Sequence, residues 1–216
     1  MLPNEVGRFS IERAAFHEAA HVVCVLAHGG NVRAMSVVYD DATREWQGAV
    51  DADPLLNHAQ QAEMLLAGGF GECRYVGNVY DSNSWTIHEA TSRPALTAAF
   101  NAMPHIRLAA ITFSEPTGTQ KTFDFDLDTF SNDWHRAIQL AQQHGFSFQD
   151  AVQDAINRVN DATFWSQVIQ VARVFVLRPP RILEWRYGYD NLIDPGKTQY
   201  RIDQIIEKVK RNLGVP

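Results

Sequence analysis

Apolar residues recur at helical spacing from Ile11 through Ala14, Ala15, Val22, Val25 and Leu26, with Ser10 placed to cap the helix and Gly29-Gly30 to stop it after His28. The pattern then shortens. Residues 32–39 and 46–50 read as two strands around a turn at Asp40-Asp41-Ala42-Thr43, the second ending before Pro54. This predicts a small antiparallel hairpin. A second helix is expected over about 57–75, although Gly68, Gly69 and Gly71 would each cost roughly 1 kcal/mol against alanine in a helix interior. Glycines kept at that cost point to close packing against a neighbour.

The stretch 78–130 carries weaker signals. Residues 87–103 are expected to hold a helix broken at Pro94 and stopped before Pro104, followed by mixed loop. Over 122–130, Phe123, Phe125 and Leu127 alternate with Asp124, Asp126 and Asp128, a period of two that reads as a strand. A calcium loop would need a glycine at its sharp turn and a closing glutamate, and neither follows. Helices are then expected over 132–144, 148–160, 162–177 and 198–213, the third stopped by Pro179-Pro180. In the last of these, Ile202, Ile205, Ile206, Val209 and Leu213 form one stripe.

Composition excludes several classes. In 216 residues, 45% are hydrophobic, enough for a sizeable core, and 25 acidic against 19 basic residues give a net charge of -6. Such a surface is not built to neutralise phosphates, so nucleic acid is not an expected partner. Two cysteines cannot make a disulfide framework, and Cys24 sits in an apolar run as a small hydrophobe, a usage that fits a reducing compartment. The longest mostly apolar runs, 19–26 and 168–177, fall short of the ~20 residues that span a bilayer, and the first residues lack a basic-then-apolar signal. The expectation is a cytoplasmic chain with no transmembrane segment.

The chemistry concentrates in His17-Glu18-Ala19-Ala20-His21, inside the first helix. Histidines four apart share one helix face and both reach a single metal ion, while the adjacent Glu18 leans over water at that ion. At this composition the string arises by chance on the order of one time in a hundred, and the competing reading is two ordinary histidines on an amphipathic helix. Catalytic zinc normally takes three protein ligands. The metzincin pattern fails, because Cys24 and Ala27 stand where that class has glycine and histidine. Glu63, Glu72 or an aspartate remain as the third ligand.

Three blocks resemble the peptidase domain of FtsH-type ATP-dependent zinc metalloproteases. Phe16-His17-Glu18-Ala19-Ala20-His21-Val22-Val23 is similar to the family's HEAGH helix, with Ala20 in place of its glycine. The run from Leu66-Ala67-Gly68 to Glu72 and Gly77 is similar to LAGRAAEELIFG, and Ser131-Asn132-Asp133-Trp134-His135-Arg136-Ala137 to SNDIERA. The resemblance covers 10 to about 183. It implies a mainly helical α+β, zincin-type peptidase domain with a small antiparallel sheet, a single domain over 1–216. It also implies Zn2+ held by His17, His21 and Asp133, with Glu18 as the catalytic base.

Two departures bear on function. The span 78–130 is longer than in the family, which implies an insertion beside the site, expected to restrict access; Asp81, or His88 and Glu89, would be competing ligands within it. No GxxxxGK[ST] phosphate loop occurs, so the ATPase that feeds such proteases is missing from this chain. The implied function is zinc-dependent hydrolysis of peptide bonds in peptides, unfolded segments or chains presented by a separate ATPase. The alternatives are an inactive interaction or regulatory protein that keeps the fold, and an ImmA-like regulatory protease, which shares HExxH but not the Ser131-Asn132-Asp133 block.

Overall fold

Twelve consecutive side chains, Ala15 to Leu26, are buried in the first helix, α1 (Ile11–Ala27). A helix covered on every side is the hub of a domain rather than a surface element, and the other elements are arranged around it. The computed structural model describes residues 11–40, 45–53, 57–80, 86–92, 108–114, 120–126, 131–176, 182–186 and 197–215. The expected cap Ser10 and the prolines at 94, 104, 179 and 180 lie outside them. The end of α1 is as read: Gly29 adopts φ +73°, and the Gly30 N–H donates to the Val25 carbonyl at 3.0 Å, closing a left-handed helix cap.

Helix α2 (His58–Tyr80) lies against α1, and the glycines explain how closely. A Cβ built on Gly71 would stand 2.5 Å from the Ala20 Cβ, so only glycine admits this approach. The other face of α1 takes α5 (Ala162–Val176): Phe16 packs against Trp165 at 5.6 Å and stacks on Tyr75 of α2 at 4.2 Å. Helices α3 (Ser131–His144) and α4 (Phe148–Asn160) pack on α2, and α6 (Lys197–Leu213) covers α5 with Ile206 and Val209 buried.

The hairpin of β1 (Val32–Asp40) and β2 (Glu45–Ala52) forms as read, with Met35 opposite Val50 and Val37 opposite Gly48. Three of the described strands, the third, fourth and sixth, were not read as strands. β6 (Ile182–Arg186) pairs antiparallel with β1, making a sheet in the order β2-β1-β6 that leaves β2 at an edge. Its five residues are too few to carry a period, and the partner is far away in the chain.

The helix expected over 87–103 is corrected over 87–92, and its remainder lies outside the described residues. Thr86–Ser92 is a strand, β3, paired with β4 (Leu108–Ser114), which in turn pairs with β5 (Gln120–Asp126), the strand read from alternating Phe and Asp. Pairing along β4 overrides the weak helical signal of this segment. The sheet docks through Ile87: Asn160 at the end of α4 accepts from its N–H at 2.9 Å and donates to its carbonyl. The described residues are therefore mainly helical α+β, with two three-stranded antiparallel sheets where a hairpin and one further strand were expected. Among the described residues no helix is long and apolar enough to cross a membrane.

Candidate metal centre

His17 and His21 sit one turn apart on the buried face of α1 that meets α2, their rings 4.7 Å apart edge to face. Asp133 arrives from the first turn of α3, which begins at Ser131, one residue before the expected start at 132. The shift of one residue leaves Asp133 where the sequence put it. Its neighbour Trp134 is buried between Phe70 of α2 and Phe148 of α4, at 6.1 and 5.3 Å, and this fixes the start of α3. The Asp133 Oδ2 atom lies 3.2 Å from Nε2 of both histidines.

What stands behind each imidazole sets its chemistry. The Nδ1–H of His21 donates to the Met64 carbonyl at 2.8 Å. That of His17 donates to Glu72 Oε2 at 3.2 Å, and Glu72 is itself held by Arg13. With both Nδ1 atoms serving as donors, the neutral rings direct their Nε2 lone pairs at Asp133. Two lone pairs and a carboxylate oxygen then converge, an arrangement that needs positive charge between them. A proton supplies it in one state. Burial opposes charge on His17, but the carboxylates of Asp133, Glu72 and Glu18 outweigh it and raise the imidazole to about 10. Burial likewise works against ionised Asp133, and hydrogen bonds from His17 and His21 hold its carboxyl well below the usual range. A metal ion bound there would supply the same charge, and the donor set fits zinc: two imidazole nitrogens, one carboxylate oxygen and both histidines backed by acceptors.

Two glycines clear the space. A Cβ on Gly68 would lie 2.3 Å from His21 Nε2 and 2.9 Å from His17 Nε2, so α2 comes close to the ligand atoms only because residue 68 has no side chain. A Cβ on Gly48 of β2 would lie 2.2 Å from Glu18 Cγ and 2.4 Å from Oε1. Glu18 therefore lies against the edge strand. Burial raises its carboxyl, and the two histidines partly draw it back.

Glu72, weighed as a third ligand, is corrected to a partner of His17 Nδ1, since its other oxygen is taken by Arg13. Glu63 falls farther along α2 beside His28 and Arg158, away from the histidine pair. Asp81 lies outside the described residues, and His88 and Glu89 fall on β3. The supporting roles of Arg13, Met64 and Gly48 were not read from the sequence. A backbone carbonyl leaves no residue-type signal, whereas the glycines at 68 and 71 did signal close approach. No family model, curated protein or solved structure matches the chain.

Proposed function

We propose that this chain is a zinc-dependent endopeptidase of the FtsH peptidase type, acting without an ATPase of its own. The observation that carries this is the convergence of His17 Nε2, His21 Nε2 and Asp133 Oδ2 beside Glu18. Zinc held there would polarise a peptide carbonyl and make water nucleophilic near neutral pH. Glu18 takes the proton of the attacking water and delivers it to the leaving amine, and a carboxyl raised by burial is suited to both transfers. Met64 and Glu72 hold the imidazoles in one tautomer.

Substrate presentation follows from the edge strand. Among the described residues β2 pairs with β1 and stands at the end of its sheet, the position where an extended peptide would add as a further strand. Gly48 on that strand brings the peptide's main chain beside Glu18. Substrates are then flexible segments or chains unfolded elsewhere, and the elaboration over 78–130 restricts which of them enter.

Zinc-loaded protein should cleave unfolded casein or a quenched peptide, and a chelator should stop it. Glu18→Gln should keep its zinc and lose about 10²–10⁴-fold in rate. A wild-type protein that holds zinc on His17, His21 and Asp133 yet cleaves neither substrate would remove the peptidase reading and leave an inactive metal-holding protein.

A further inference from the structure

The stripe of α1 that carries His17 and His21 continues through Cys24 and His28, at further steps of three and four residues. The helix α2 that brings Gly68 against the first pair also brings Glu63 to His28 of the second. We propose that Cys24, His28 and Glu63 form a second site, distinct from the first, for a divalent transition metal of the zinc class. A thiol sulfur, an imidazole nitrogen and a carboxylate oxygen here lie within 4.8 Å of one another. Zinc bonds of about 2.0–2.3 Å can be reached from this spacing by small side-chain rotations.

The surroundings supply what a metal site needs. Glu63 Oε2 faces His28 Nε2 at 2.8 Å, while Oε1 accepts from Arg158 Nε at 2.8 Å, so the ligand oxygen is oriented by a hydrogen bond to its twin. His28 and Glu63 line a cleft of about 740 Å3 between α2 and α4. This gives an ion an entry path and leaves its fourth position facing solvent. The cysteine is fully buried and carries no disulfide. Loading releases the Cys24 thiol proton and takes His28 as the neutral tautomer with its proton on Nδ1, which leaves thiolate, imidazole and carboxylate on the ion. The bound metal would pin the last turn of α1 to α2.

The two sites are separable by colour, because the first contains no sulfur. Full-length protein reconstituted with Co2+ should take two ions per chain and show a thiolate-to-cobalt charge-transfer band. Cys24→Ser should lose that band and one ion, and Asp133→Asn should keep the band. His28→Gln, at a partly exposed turn, gives the same loss of one ion if Cys24→Ser does not fold. A band with one ion per chain that survives Asp133→Asn would uphold this site and sink the first. Absence of the band in wild-type protein, or its persistence in Cys24→Ser, would overturn the proposal.

Discussion

The two ends of the α1–α2 seam hold similar side chains in different states. At the His17–His21 end both imidazoles direct Nδ1 to fixed acceptors, so the atoms aimed at Asp133 are lone pairs that require a cation or a proton. At the Cys24–His28 end, His28 donates straight to Glu63, and Arg158 neutralises the other oxygen. Burial works against charge on Glu63, but His28 and Arg158 outweigh it and hold its carboxyl below the usual range. At the second end both Glu63 oxygens therefore already have hydrogen-bond partners, and an entering ion has to displace His28 from that bond. Pre-organisation here lies in what stands behind the ligand rather than in the ligand itself.

The sharpest break of this contrast is Asp133→Asn. It removes the charged ligand while keeping shape, so zinc occupancy and peptide hydrolysis should both be lost, with helical circular dichroism retained. Unchanged zinc stoichiometry in that protein would move the third ligand elsewhere.

Gly68→Ala comes next in size. Alanine would favour the helix by about 1 kcal/mol over glycine, yet its methyl would fall 2.3 Å from His21 Nε2. Zinc affinity should drop by more than the about 10–100-fold typical of losing a supporting hydrogen bond. The charge-transfer band of cobalt at Cys24 should persist. Equal loss at both ends would mean that the substitution separates the two helices rather than filling one site.

Glu72→Gln tests the support behind His17. The amide still accepts a hydrogen bond but leaves the Arg13 charge without its carboxylate. Zinc affinity should fall about 10–100-fold, measured by competition with a chelator, while Glu63→Gln should leave the first site's affinity unchanged. A Glu72→Gln protein with wild-type affinity would show that the Nδ1 partner of His17 does not tune the ligand.

How much of this was legible in the sequence follows from the range of the interactions. His17, Glu18 and His21 lie within one helical turn, and their spacing alone placed them on one face. Asp133 is 116 residues from His17, so periodicity could not connect them; the Ser131-Asn132-Asp133 block pointed to it only through resemblance. The α-helices were readable because each carries its own period, as in α4, whose limits match the expected 148–160. β3, β4 and β6 are stabilised by pairing with distant strands, and a five-residue strand such as Ile182–Arg186 holds too little local pattern. The hydrogen bond to the Met64 carbonyl was invisible for a different reason, since every residue has one.

The smallest predicted effect concerns Gly29, at the far end of the seam. Its φ of +73° lies in the left-handed region, where an L-residue with a Cβ is disfavoured, and no heavy atom lies within 4 Å of a Cβ built there. The cost of Gly29→Ala is therefore backbone strain alone, about 1 kcal/mol. Urea unfolding should show a lower midpoint with an unchanged slope, because the native surface is the same. Gly29 lies two helical turns beyond His21, and the Met64 and Glu72 contacts that orient the first site do not pass through it. Zinc affinity at His17, His21 and Asp133 should accordingly stay at the wild-type value. A matching fall in that affinity would show that the cap of α1 and the metal centre move together, and the two ends of the seam would then have to be treated as one unit.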